Sequence, residues 1–329
     1  MSEGPIDLQP YVQKGLNPTI TRLFQELSVS YFQAVDPTQR AEAESHFKKL
    51  LELVTEQLKK PYKFDIFHQS IRKPFDFYQF GLNFIRPLID FNKSKLNGLD
   101  NVKKMIGQIQ RGENVILLAN HQTEPDPQVI SLLLEKIDPE FASEMIFIAG
   151  HRVVNDPMAV PMSMGRNLLC IYSKKHISHD PDTKEEKMNH NQRTMKKMTE
   201  ILSEGGHCIY VAPSGGRDRP NAEGIVEVAP FDGQSVEMFY LMARQADKPT
   251  HFYPLSLKTY DLMPPPKQVF KELGEKRETK FTPVFLNFGD EIDMENFPGS
   301  HEIRDKRTKR NKRAEYIFQT VKQGYLAAE

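Results

Sequence analysis

The 329-residue chain has no excess charge of either sign, only two cysteines, and no long apolar run. Lysine and arginine number 44, as do aspartate and glutamate, so the formal charge is zero. General nucleic-acid binding is disfavoured, since such domains carry net positive charge. Cys170 and Cys208 each sit inside an apolar run (LLCIY and CIYV), which predicts buried free thiols in a reducing compartment and makes a soft-ligand metal site improbable. No stretch of 18 apolar residues exists to span a bilayer; the nearest, residues 75–91, is broken by Asp76, Asn83 and Arg86. The start, MSEGPIDLQP, is neither a secretory signal nor an Arg/Ser-rich transit peptide. The expectation is a cytosolic protein or a mature form already trimmed.

What is present is an ordinary globular composition, 39% hydrophobic and 27% charged. Residues 17 to about 92 read as helical. Asp36-Pro37 forms an N-cap and N1 pair, Ala43, Phe47, Leu50, Leu51, Val54 and Leu58 follow at helical spacing, and Pro61 ends the run. No strand is expected in the first 75 residues, so residues 1–75 are assigned to a small all-helical domain and 76–329 to a second. In the second, short apolar runs at 115–119, 145–149, 168–172, 208–212, 252–257 and 284–288 alternate with helical candidates at 99–110, 127–136, 185–204, 234–246 and 313–327. That alternation predicts an α/β domain, a mostly parallel mixed sheet flanked by helices. Ligands in such sheets bind at the carboxyl ends of strands.

Three such ends carry chemistry. After 115–119 comes NHQTEPDP, with His121 at the strand end and Asp126 five residues on. An imidazole suits proton transfer near neutrality, and a carboxylate can hold its tautomer. Asp126-Pro127 equally reads as a helix N-cap followed by proline, and one carboxylate can do both. After 208–212 comes PSGGRDRP. Its glycines let backbone amides approach an anion, and Arg217 and Arg219 offer forked donors for phosphate. The competing reading is a solvated turn in which Asp218 neutralises one arginine. Ser214 lacks the G-x-S-x-G setting of a nucleophile. After 168–172 comes YSKKH, whose Lys174, Lys175 and His176 add positive charge at the same edge. Together they suggest a small phosphorylated substrate.

The segments ANHQTEPDP, AGHRVVNDP, GRNLLCIYSKKH, APSGGRDRP and DLMPPP, in this order over about residues 90–295, resemble the soluble plant-plastid glycerol-3-phosphate acyltransferases. The resemblance implies that His121 is the general base and Asp126 its orienting partner in an H-x4-D motif. It also implies that Lys175, His176, Arg217 and Arg219 bind glycerol phosphate; Arg152 is a weaker carry-over. Pro125 stands where a small residue is usual. Pro-Ser-Gly-Gly-Arg at 213–217 differs from the Pro-Glu-Gly-Thr type of membrane-bound acyltransferases, which favours the soluble branch over a lysophosphatidate acyltransferase.

The implied reaction moves an acyl group from an acyl carrier protein or coenzyme A thioester to the sn-1 hydroxyl of sn-glycerol 3-phosphate, without cofactor or metal. The setting would be plastid stroma or bacterial cytoplasm, and the enzyme a monomer. A non-catalytic lipid or carrier-protein binding module is the alternative of a different class. A phosphoester hydrolase would need a nucleophile or metal cluster that the sequence does not offer. Met158, Val160, Met162 and Met164 could line an apolar channel or be plain core. Residues 304–313, with seven basic side chains and one acid, could dock an acidic carrier protein, touch an anionic membrane, or form a solvated helix face.

Overall fold

The computed structural model describes residues 5–173, 177, 182–266 and 275–328. Its centre is an eight-stranded sheet in the order β1-β5-β4-β6-β3-β9-β10-β2. The strands are β1 Phe67–His68, β2 Lys95–Asn97, β3 Asn114–Ala119, β4 Ile146–Gly150, β5 Asn167–Ile171, β6 Cys208–Val211, β9 Thr250–Lys258 and β10 Phe285–Phe288; β7 Arg219–Pro220 and β8 Val226–Glu227 form a separate hairpin. β5, β4, β6, β3 and β9 all run parallel, in registers such as Val115↔Cys208 and Val115↔His251. Within this sheet the flanking pairs β9/β10 and β1/β5 are antiparallel. The predicted mixed, mostly parallel sheet is therefore present.

β3 shows why the runs read as continuous apolar segments. Every one of its residues is fully buried, because both faces of a parallel sheet are covered. Alternate side chains serve opposite cores. Val115, Leu117 and Ala119 join a cluster with the helices Pro18–Ala34, Arg40–Lys59 and Phe77–Ile85. Ile116 and Leu118 join another with Lys184–Glu204, Gly233–Gln245 and Lys306–Leu326. The N-terminal helices thus share a core with one sheet face. Tyr31 stacks on Phe84 with ring centroids 4.6 Å apart, and its hydroxyl donates to the Phe84 carbonyl at 2.8 Å.

Several local expectations need correction. A short strand does occur in the first 75 residues: β1 pairs with β5, Phe67 opposite Leu169. Two residues are too few to show a period of two. Asp36 caps a short 3-10 turn, accepting from the Thr38 amide, and the long helix begins at Arg40 and ends at Lys59 ahead of Pro61. The last helix starts at Lys306, capped by Asp305, and not at the expected 313; its first turns are polar and offered no apolar stripe to read. Among the described residues, no helix is long and apolar enough to cross a membrane.

Gly98 tests the packing of β2 and the helix Leu99–Gln110 against β10. It has φ near +80°, and a Cβ there would lie 1.9 Å from the Phe288 carbonyl oxygen. Both strain and backbone overlap oppose any side chain. Gly98→Ala should cost at least about 1–3 kcal/mol of unfolding free energy, measurable by urea titration; an unchanged midpoint would contradict this contact.

Candidate active site

Because five neighbouring strands are parallel, the chain leaves β3, β4, β5, β6 and β9 along one edge. His121, Arg152, Tyr172, Arg217 and Thr259 all follow those strand ends in sequence.

β3 hands the chain to an extended Asn120-His121-Gln122 segment. Asn120 and Gln122 are buried inward while His121 is partly exposed. The His121 Nδ1 lies 2.8 Å from Asp126 Oδ2. Asp126 is completely buried, and its carboxylate collects further donors: the Gln122 amide at 2.8 Å, the Thr123 amide at 3.2 Å, and the hydroxyls of Thr123 and Thr259, both at 2.6 Å. Burial alone would raise its pKa, but the charge and hydrogen bonds of His121 and the two threonine hydroxyls outweigh this and hold it below the ordinary value. The anion fixes the imidazole with its proton on Nδ1 and leaves Nε2 as the basic nitrogen.

Asp126 is not the helix N-cap. Pro125 occupies that position, and Asp126 is the first helical residue. Its carboxylate reaches back into the preceding turn, where a proline stiffens the approach. Glu124 turns the other way and pairs with the buried guanidinium of Arg277, Oε2 to Nη2 at 2.9 Å, with Asp156 at 3.2 Å on the same nitrogen. Burial works against the Arg277 charge, yet the two acids hold its pKa above normal.

The loop after β6 lies directly against the histidine loop: the Asp218 amide donates to the His121 carbonyl at 2.6 Å. Asp218 does not neutralise an arginine. Its buried carboxylate accepts from Asn120 Nδ2 at 2.8 Å, Gln122 Nε2 at 3.2 Å and the Ala229 amide at 2.9 Å. Burial pushes its pKa up to about 6 against the pull of these bonds. The acid beside the arginines comes from elsewhere. Glu275 binds Arg217 Nη2 at 2.5 and 2.7 Å and Arg152 Nη1 at 3.0 Å.

Arg219, on β7, is different. Its Nη1 is buried with no hydrogen-bond partner among the described residues. Its pKa is pushed down by burial, then by Arg217, with smaller opposing pulls from Glu275 and Tyr260 and a further push from Arg152. Among the described residues, Glu275 accepts from Arg152 and Arg217 while Arg219 Nη1 has no partner, a setting for an anion such as phosphate. Lys175 and His176 lie outside the described residues. Thr123, Thr259, Glu275 and Arg277 were not singled out from sequence. The first lies within the motif and Thr259 one residue past a strand end, but Glu275 and Arg277 sit in an unremarkable charged run, GEKRETK.

Behind Pro125 opens a small cavity of about 30 Å³, lined by Leu27, Leu50 and Phe84 together with Met158, Met162 and Met263. Met158 and Met162 line this cavity and pack with the core, the plainer of the two readings. Met164 lies instead beside Gln57 and His68, and Val160 is in the core. In the basic stretch, Arg313 is buried on Glu237 and the Met294 carbonyl, and Lys309 pairs with Glu295 at 3.8 Å, whereas Arg304, Lys306, Arg307 and Lys312 are exposed.

Residues 94–258 match the family model described as Acyltransferase. The chain is 42% identical over 303 residues to a chloroplastic glycerol-3-phosphate acyltransferase of Cucurbita moschata, covering 89% of this chain and 66% of the relative. A second chloroplastic glycerol-3-phosphate acyltransferase of that species is 39% identical over 92% of this chain and 68% of its own length. The Arabidopsis thaliana chloroplastic enzyme of that name is 46% identical over 71% of this chain and 51% of its length. The chain therefore spans about half to two thirds of the curated relatives it matches.

The Asp126 carboxylate yields a signed prediction. A group with a depressed folded-state pKa lends stability that is fully present above its unfolded value and lost as pH falls through the folded one. Asp126→Asn should cost about 2–4 kcal/mol at pH 7, with the deficit already shrinking by pH 3, where the unfolded wild-type chain takes up the proton before the folded one does. Unfolding titrations of both proteins at the two pH values check this; a pH-independent gap would reject it.

Proposed function

Because the chain belongs to the acyltransferase family, we propose that it transfers a fatty acyl group from a thioester to the sn-1 hydroxyl of sn-glycerol 3-phosphate. The observation that carries this is the direct contact of two loops. One holds an imidazole backed by a buried carboxylate, and the other holds a guanidinium with an unsatisfied nitrogen; the Asp218–His121 backbone bond joins them. A base and an anion site side by side suit an alcohol that carries a phosphate.

In this reading the phosphate binds Arg219, with Arg217, Lys175 and His176 contributing, and so brings the hydroxyl to His121. Nε2 of His121 takes the hydroxyl proton as the oxygen attacks the thioester carbonyl. The tetrahedral intermediate breaks its C–S bond, and the imidazolium returns the proton to the thiolate. The new C–O bond is the product ester. Asp126 stabilises the imidazolium through Nδ1 and stays ionised. General-base help contributes roughly 10²–10⁴-fold, and anchoring by the phosphate supplies orientation.

Arg217 and Arg219 take unequal parts. Arg217 already gives its Nη2 to both Glu275 oxygens, so Arg219 makes the principal phosphate contact. The donor is acyl carrier protein or coenzyme A thioester. The exposed cations Arg304, Lys306, Arg307 and Lys312 suit an acidic carrier better than the full basic stretch does, since Arg313 and Lys309 are internally paired. The chloroplastic relatives support the plastid stroma as the setting.

Labelled glycerol 3-phosphate, offered with both donor types and scored for product regiochemistry, tests the activity; no transfer from either donor would reject it. His121→Ala should lower kcat by at least about 10²-fold while glycerol 3-phosphate still binds by calorimetry. Arg219→Ala should raise the glycerol 3-phosphate KM more than Arg217→Ala does. Near-normal turnover by His121→Ala would remove the base assignment.

A further inference from the structure

We propose that Asp218 is a positioning residue, whose buried carboxylate sets the spacing between the His121 loop and the arginine loop; this rests on the acyl-transfer reading above. The groups around it are all donors. Oδ2 accepts from the side-chain amides of Asn120 and Gln122, and Oδ1 from the Ala229 backbone amide. Neither amide can turn over to present its oxygen. The Asn120 oxygen accepts from the Leu257 amide at 2.7 Å while its nitrogen also donates to the Leu257 carbonyl at 2.9 Å. The Gln122 oxygen accepts from the amides of Thr259 at 2.7 Å and Tyr260 at 3.0 Å.

The position therefore requires a group that only accepts, and a carboxylate is the side chain with that property. Asparagine there must aim its own NH2 at a donor in either orientation, towards Asn120 and Gln122 or towards Ala229. All three side chains involved, those of Asn120, Gln122 and Asp218, are fully buried, so water cannot relieve the mismatch.

The consequence follows from where these residues sit in the chain. Asn120 and Gln122 flank His121, and Asp218 stands between Arg217 and Arg219. Gripping the two inward-facing neighbours of the base, while its own amide binds the His121 carbonyl, Asp218 aligns the imidazole and the phosphate-binding guanidiniums in one step. Its partners Asn120 and Gln122 also bind the end of β9, so the ends of β3, β6 and β9 are tied at a single carboxylate.

A residue of this kind should move particular constants. In the full-length chain, Asp218→Asn should lower kcat about 10- to 100-fold and raise the glycerol 3-phosphate KM several-fold, since both geometries depend on it. The thioester KM should stay within about twofold of wild type, because the Asp218 carboxylate contacts only the loops that hold the base and the phosphate. Rates are to be scaled to folded protein measured by circular dichroism at the assay temperature. If all constants per folded molecule match wild type, or if the thioester KM rises in step with the other, Asp218 is only a packing residue and the proposal falls. Should Asp218→Asn not be recovered folded, Ala229→Pro, which removes the backbone donor to Asp218 Oδ1 and leaves Asn120 and Gln122 in place, decides instead. The same split at smaller size supports the proposal, and unchanged constants overturn it. Failure of wild type itself to transfer acyl groups would reject the functional reading, and is distinct from either variant outcome.

Discussion

Two buried carboxylates hold the functional edge of this molecule together. Asp126 and Asp218 lie in sites that water does not reach, and each remains tolerable only because donors from several strand ends surround it. The desolvation that would otherwise expel them is answered unequally. Asp126 ends below the ordinary carboxyl range and Asp218 well above it. The first has a histidine as partner and the second has only neutral amides. That contrast follows from charge, since a cationic or protonatable partner stabilises an anion more than a neutral dipole does.

The arginines show the complementary imbalance. Glu275 satisfies parts of Arg152 and Arg217 but leaves Arg219 with a buried nitrogen unbonded among the described residues. A buried unpaired donor is costly in an isolated protein and becomes an asset when a ligand supplies the acceptor. The parallel sheet makes this arrangement cheap to build, because successive crossovers return every loop to the same edge.

Much of this architecture was legible in the sequence. The six apolar runs correspond to the six principal strands, and most helix positions agree to within a residue or two, because core burial writes itself as hydrophobic pattern. His121 with Asp126 was also visible, as a motif placed at a strand end. What escaped has physical reasons. The two-residue β1 and the three-residue β2 are too short for periodicity. The direction of Asp218 depends on a hydrogen-bond network that only tertiary structure assembles. Glu275 and Arg277 sit in a charged segment indistinguishable from a solvated surface, yet both are buried. The N-cap reading of Asp126 failed because its carboxylate found stronger company in His121 and Thr259 than in the helix start.

The cavity behind Pro125 is walled jointly by the N-terminal helices, through Leu27, Leu50 and Phe84, and by methionines of the sheet domain. Any apolar occupant therefore contacts both layers at once and is available only to the native state. Occupancy and melting temperature become linked through mass action. Selection on the lining at Leu27 or Leu50 can then retune what the pocket admits without touching the His121–Asp126 pair, which lies in a separate stretch of polypeptide.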